Sequence, residues 1–166
     1  TYPTSTQLRI DGAIYRFDAR GYMVTGWVSE DGRWYYYGPS GGQASGWTKA
    51  GGSWYYLDPL TGAMASGWTK VRGTWYHLSS SGAMTTGWLR EGSTWFYLSS
   101  SGAMVTGWAR VGSTWYHFGD GGAMSTGWLE EGGSWYYLSS SGAMVTGSRW
   151  INGTRYTFGE DGRLRQ

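Results

Sequence analysis

Aromatic and apolar residues recur along the chain in pairs of short segments, and each pair is separated by two small or polar residues. Between Gly87 and Leu98, for example, Trp-Leu-Arg-Glu and Thr-Trp-Phe-Tyr-Leu lie on either side of Gly92-Ser93. Such residue pairs permit the positive φ angles of tight hairpin turns, and the flanking aromatic residues favour strands. Each of these stretches therefore predicts a β-hairpin.

The predicted hairpin recurs at a nearly fixed spacing. A tryptophan preceded by glycine returns every 20 residues, with one step of 21, and a second tryptophan follows seven positions later. A period of this size indicates a stacked array, since a single two-stranded hairpin is barely stable in water. The first tryptophans are Trp27, Trp47, Trp68, Trp88, Trp108 and Trp128, and the second are Trp34, Trp54, Trp75, Trp95, Trp115 and Trp135.

The position of the turn determines which side chains share a face of the hairpin. A turn at Gly92-Ser93 pairs Trp88 with Tyr97 and Arg90 with Trp95. Because successive side chains point to opposite sides of a strand, both tryptophans and the tyrosine lie on one face, and Leu and Phe residues lie on the other. Either face could form the stacking core, but the Trp/Trp/Tyr face is unusually aromatic for that purpose.

The two ends of the array are degenerate copies of the repeat. Ile14 and Arg16 stand where the full repeat has Trp and Tyr, and Ser148 stands where it has the first Trp. Terminal repeats are expected to differ because one side faces water. We therefore expect a flexible leader at 1–7 and one repeat module at 8–166, with an N-terminal cap at 8–22, six full hairpin repeats at 23–147 and a C-terminal cap at 148–166.

Composition narrows the class of function. The chain is 19% aromatic and only 14% charged, has no cysteine, and carries a net charge of +2. This excludes a thiolate metal site and disfavours nucleic acid as a partner, and no apolar run is long enough for membrane insertion. The acidic residues lie mainly beside turns, and no serine has a base placed beside it by a motif, so we expect no catalysis, no cofactor and no metal.

The tryptophan-rich face suggests a ligand. Two tryptophans and a tyrosine form the kind of cage that recognises a quaternary ammonium through cation–π attraction. The same rings could stack on sugars, which makes a glucan- or other carbohydrate-binding module the main alternative, and a purely structural stalk is the third. The position two after the first tryptophan varies too much to be a repeated polar anchor for sugars: Ser29, Lys49, Lys70, Arg90, Arg110 and Glu130.

The repeats resemble the cell-wall-binding repeats of choline-binding proteins. The combination of Gly-Trp, Trp-Tyr-Tyr and Gly-Ala-Met-x-Thr-Gly, seen most fully at 127–147, carries the resemblance over about residues 8–166. It implies an all-β fold, a left-handed β-solenoid of stacked hairpins, with choline or the phosphocholine of teichoic acids held between consecutive repeats. It also implies a secreted protein of the bacterial cell surface, and a terminal repeat is the candidate contact for a homodimer.

Carried over by position, the resemblance implies six sites, each with two tryptophans, a third ring from the next repeat and a linker methionine. Gln43 replaces the methionine of the first site, and Thr157 would leave the sixth without a third ring. The sites are Trp27, Trp34 and Tyr56; Trp47, Trp54 and His77 with Met64; Trp68, Trp75 and Tyr97 with Met84; Trp88, Trp95 and His117 with Met104; Trp108, Trp115 and Tyr137 with Met124; and Trp128 and Trp135 with Met144.

Overall fold

The chain folds into β-hairpins, as the sequence predicts. The computed structural model describes residues 3–165, and within them sixteen strands form eight antiparallel two-stranded sheets. The predicted all-β class built from repeated hairpins is thereby confirmed. The strands are β1 Thr6–Ile10, β2 Ala13–Phe17, β3 Gly26–Glu30, β4 Arg33–Tyr37, β5 Gly46–Ala50, β6 Ser53–Leu57, β7 Gly67–Val71, β8 Thr74–Leu78, β9 Gly87–Glu91, β10 Thr94–Leu98, β11 Gly107–Val111, β12 Thr114–Phe118, β13 Gly127–Glu131, β14 Ser134–Leu138, β15 Gly147–Ile151 and β16 Thr154–Phe158.

The predicted register is confirmed. Trp88 lies opposite Tyr97, and Arg90 lies opposite Trp95. At the N-terminus, β1 begins at Thr6 and therefore inside the predicted leader 1–7, because Thr6 pairs with Phe17. Thr1 and Tyr2, the start of that leader, lie outside the described residues.

The hairpin turns use the left-handed backbone region. Asp31 and Gly32 have φ angles of 51° and 74°, and Asn152 has 49°. Arg72, the residue least suited to such a turn, also takes a positive φ of 48°. A side chain with a Cβ is strained there by about 1 kcal/mol or more, so hairpin pairing and stacking hold this turn against local preference.

Each linker folds back onto the hairpin that precedes it. Leu57, the last residue of β6, is fully buried and forms an isolated bridge with Met64 of the following linker. This is the linker with the extra residue. The carboxylate of Asp58 organises it by accepting hydrogen bonds from the backbone N–H groups of Leu60 and Thr61 and from the Thr61 hydroxyl. The Thr61 hydrogen bonds are the main reason that the pKa of Asp58 is lowered.

Consecutive hairpins stack through unlike faces. Trp88, on the tryptophan face of β9–β10, packs against Tyr116 and Phe118 on the opposite type of face of β11–β12, with ring centroids 4.8 and 5.8 Å apart. The buried core therefore comes largely from the last position of each second strand, while many tryptophans remain partly exposed. The fully buried side chains are Tyr37, Leu57, Leu78, Leu98, Phe118 and Leu138.

The chain divides into two compact units, Thr1–Thr85 and Thr86–Gln166. The first contains β1–β8 and the second β9–β16, so each unit is a stack of four hairpins. The left-handed superhelix stays a prediction. Within residues 3–165, no helix is long and apolar enough to cross a membrane.

Candidate aromatic ligand cavities

Three of the open cavities within residues 3–165 lie between consecutive hairpins. Their volumes are about 360, 360 and 290 Å³, and each is bordered by two tryptophans, a tyrosine and a methionine. We call them by their first tryptophan. The Trp27 cavity is lined by Trp27, Trp34, Tyr55, Met64 and Ser81; the Trp88 cavity by Trp88, Trp95, Tyr116, Met124, Ser140 and Ser141; and the Trp108 cavity by Trp108, Trp115, Tyr136, Met144, Glu160 and Asp161.

Two walls of each cavity come from a single hairpin. In the Trp88 cavity, Trp88 of β9 and Trp95 of β10 have ring centroids 6.1 Å apart and planes at 90°. The strand register places both indoles on the same face, but not directly opposite each other. They therefore form a corner that is open to solvent, and 38% of Trp95 is exposed.

The third wall comes from the next hairpin, and it is not the ring that the sequence predicted. The ring centroid of Tyr116 lies 4.8 Å from that of Trp88, and the ring centroid of Tyr55 lies 4.7 Å from that of Trp27. The predicted rings were one position later, Tyr56 and His117. The tryptophan face of one hairpin meets the opposite type of face of the next hairpin. The third ring must therefore come from the face of the next hairpin that does not carry its own tryptophans.

The predicted third rings instead pack beside tryptophans of their own hairpins. This placement follows from the register, which sets each of them directly across from the first tryptophan of the same hairpin. Their centroid distances are between 5.1 and 5.3 Å. The pairs are Tyr56 with Trp47, His77 with Trp68, Tyr97 with Trp88, His117 with Trp108 and Tyr137 with Trp128.

The methionines also differ from the prediction, by one repeat. The backbone N–H of Met124 donates to the carbonyl of Trp95 at 2.8 Å, so Met124 belongs to the Trp88 cavity and not to the site of Trp108. The reason is that each linker folds back onto the hairpin that it follows. Its methionine N–H then hydrogen-bonds to the hairpin one repeat earlier. The same shift puts Met64 in the Trp27 cavity, Met84 beside Trp54, Met144 in the Trp108 cavity, and Met104 outside the residues that line the Trp88 cavity.

Two further interfaces repeat these contacts. Trp47 lies 4.8 Å from Tyr76, and Trp128 lies 4.8 Å from Tyr156. The last interface therefore has a third ring, which the prediction based on Thr157 did not expect. There Leu164 replaces the methionine and donates its N–H to the carbonyl of Trp135 at 2.8 Å. The predicted site of Trp68 and Trp75 with Tyr97 draws on both units and stays a prediction.

The first interface is polar instead of aromatic. Gln43 belongs here and not to the Trp27 cavity, because its N–H donates to the carbonyl of Ile14. Gln7 donates to the Tyr37 hydroxyl at 2.9 Å. Glu30 pairs with Arg16 and raises the pKa of that guanidinium, mainly by accepting its hydrogen bond. The N-terminal hairpin thus lacks the two tryptophans of a cavity.

The middle aromatic position of the second strand supplies the third ring, although the sequence favoured the adjacent position over Tyr55 and Tyr76. It is occupied by Tyr55, Tyr76, Tyr116, Tyr136 and Tyr156. Its regular recurrence was a visible signal, but the adjacent position is aromatic in most repeats as well. The rim residues Ser81, Ser140, Ser141, Glu160 and Asp161 come from linkers two repeats downstream, and no local pattern identifies them.

The repeats match a known family along most of their length. A family model described as a choline-binding repeat matches residues 4–45, 31–67, 65–106 and 105–146. No curated protein matches the chain. The matched ranges cover well over half of the sequence.

Solved structures of Streptococcus pneumoniae proteins are similar to this chain in sequence and fold. CbpJ is 41% identical, with 92% of this chain and 56% of CbpJ covered and a TM-score of 0.89. Choline-binding protein F, solved in the presence of a peptidoglycan analogue, is 38% identical. The match covers 98% of this chain and 58% of choline-binding protein F, with a TM-score of 0.89. The choline-binding domain of CbpL is 31% identical. The match covers 98% of this chain and 87% of the CbpL domain, with a TM-score of 0.69. The chain thus spans less than three fifths of the length of CbpJ and choline-binding protein F.

Proposed function

Because the chain belongs to the choline-binding repeat family, we propose that it is a non-catalytic module that holds choline groups of a bacterial cell-wall polymer in its aromatic cavities. The observation that carries this proposal is the recurrence of one cavity design, a corner of two indoles closed by a tyrosine and a methionine. Ring faces carry negative electrostatic potential, so such a corner attracts a methylated ammonium without any anionic side chain.

The dimensions and surroundings of the cavities favour a small cation. Volumes near 360 Å³ lie at the lower end of the range for small-molecule sites. The indoles already attract cations of the chain itself, since the Arg90 guanidinium carbon lies 5.7 Å from the Trp95 ring centroid and the Lys70 ammonium lies 5.7 Å from that of Trp75. Both distances fall within the range of a cation–π interaction.

Repetition explains how weak cavities would anchor a protein. A cation–π cage of this kind contributes roughly 2–4 kcal/mol, which corresponds to about millimolar affinity or weaker. A polymer that carries many choline groups engages several cavities at once, and the second and later contacts form at high effective concentration. We therefore propose that the polymer is a teichoic acid bearing phosphocholine, and that the module attaches a secreted protein to the cell surface. A homodimer through a terminal repeat stays a prediction, which sedimentation velocity can test.

Retention on a tertiary-amine matrix, with elution by free choline, tests this function. The variant that combines Trp34→Ala, Trp95→Ala and Trp115→Ala removes one partly exposed wall from each of the three cavities. We expect it to elute early, whereas Trp150→Ala, at a position that is 71% exposed and lines none of the three, should be retained like the parent chain. Failure of the parent chain to bind, together with binding to immobilised glucan, would favour the carbohydrate alternative.

A further inference from the structure

The three cavities share their rings but differ at the rim. Ser81 borders the Trp27 cavity, and Ser140 and Ser141 border the Trp88 cavity. In the Trp108 cavity the corresponding linker positions are Glu160 and Asp161. One cavity of the array therefore has carboxylates where the matched cavities have hydroxyls.

The two carboxylates are not equivalent. Asp161 is compensated, because its Oδ1 lies 3.1 Å from Arg165 Nη2 and its Oδ2 lies 3.9 Å from Arg163 Nε. Arg163 is itself held in place, since its Nε donates to the Tyr136 hydroxyl at 3.2 Å. Glu160 has no hydrogen bond or ion pair with another residue in the described part of the chain. Glu160 is thus the carboxylate at this rim that makes no ion pair, whereas Arg163 and Arg165 both pair with Asp161.

A further carboxylate acts on the indole wall itself. The Nε1–H of Trp108 donates to Glu131, whose other carboxylate oxygen lies 3.8 Å from His117 Nε2. A hydrogen bond to a carboxylate makes the indole ring more electron-rich and so a better partner for a cation. In the matched Trp88 cavity, the residue at the position of Glu131 is Val111, which cannot accept this hydrogen bond.

We propose that the Trp108 cavity selects a quaternary ammonium without a neighbouring anionic group, such as choline, over phosphocholine, more strongly than the Trp88 cavity does. This inference rests on the proposed function. Glu160 attracts the ammonium but repels a phosphate attached nearby, whereas serine hydroxyls can donate hydrogen bonds to that phosphate. Arg90 lies opposite Trp95 and Arg110 lies opposite Trp115, so each cavity has an arginine at the same strand position.

Titrations with choline and with phosphocholine, followed by the assigned indole N–H signals in NMR spectra, test the proposal cavity by cavity. We expect the ratio of the phosphocholine Kd to the choline Kd to be about three- to ten-fold larger for the Trp108 and Trp115 signals than for those of Trp88 and Trp95. Glu160→Gln should lower the ratio at the Trp108 cavity towards that of the Trp88 cavity. Ser140→Glu should raise the ratio at the Trp88 cavity.

The outcomes separate this inference from the function on which it rests. Equal ratios at the two cavities of the parent chain, or a ratio at the Trp108 cavity that Glu160→Gln does not change, would overturn the proposed selectivity. If neither ligand shifts any indole signal, the choline-binding function itself fails. Unchanged indole spectra of the free variants serve as the control for folding.

Discussion

The ring of Tyr55 lies 4.7 Å from the indole of Trp27, although the two side chains belong to consecutive hairpins. The wall of each cavity is therefore part of the contact that stacks one repeat on the next. A ligand held there touches both hairpins, so binding and the stability of the stack are thermodynamically linked.

Replacing the third ring should weaken one cavity and leave the others unchanged. Tyr116→Leu keeps an apolar side chain against Trp88 but removes an aromatic wall. We expect choline affinity at the Trp88 cavity to fall about fivefold, corresponding to roughly 1 kcal/mol of cation–π energy. Indole NMR signals report each cavity, and those of Trp27 and Trp34 provide the internal control. Equal weakening at both cavities would contradict a local role for this ring.

The linker glycines should control the position of the cavity methionines. Gly142 has a φ of 79°, and a Cβ at this position would overlap the sulfur of Met124. We expect Gly142→Ala to destabilise the fold by about 1–2 kcal/mol and also to weaken choline binding at the Trp88 cavity, because Met124 must move.

Gly133→Ala is the matched control for this glycine. Its φ of 72° gives similar backbone strain, but no atom lies within 4 Å of its Cβ position. Chemical denaturation should show a comparable loss of stability, while titration should show normal choline affinity. If both variants bound choline equally well, Met124 would have no role in the cavity.

The strained turn at Arg72 offers a stabilising substitution. Because Arg72 has a φ of 48°, Arg72→Gly should relieve backbone strain and raise the free energy of unfolding by about 0.5–1 kcal/mol. Arg72→Ala retains a Cβ and should give no gain, which separates backbone strain from the loss of the arginine side chain. Urea denaturation measures both, and a destabilised Arg72→Gly variant would show that the side chain matters more than the turn.

The residue that ends the second strand of each hairpin should contribute most to the stability of the fold. Leu98 is fully buried, so Leu98→Ala removes apolar contacts and leaves a cavity, with an expected loss of about 2–5 kcal/mol. Leu60 is 95% exposed, and Leu60→Ala should change stability by less than about 0.5 kcal/mol. Similar midpoints for the two variants in thermal denaturation would argue against a core at these positions.

The sequence predicted the elements that local residues determine. The hairpins and the pairing of Trp88 with Tyr97 follow from turn residues and alternation within about a dozen positions, and the structure confirms them. The partner of Trp27 depends instead on which faces of two consecutive hairpins meet. Because both faces are aromatic, the pattern favoured Tyr56, whereas the stacking of unlike faces places Tyr55 in the cavity.

The rim residues of the Trp108 cavity could not be predicted from the sequence for a similar reason. Glu160 lies in a linker far along the chain from Trp108, and only the folding-back of successive linkers brings it to the cavity. In the sequence it is simply an acidic residue beside a turn. Contacts across more than one repeat are set by the geometry of stacking, which no local pattern contains.

A choline titration that follows the indole N–H signals of the intact chain tests the central claim most directly. We predict that the signals of the cavity tryptophans shift with roughly millimolar affinity, while that of Trp150, which is 71% exposed and lines none of the three cavities, stays in place. Cavity signals that remain unmoved up to about 100 mM choline, well above the affinity expected for a cation–π cage, would contradict the account.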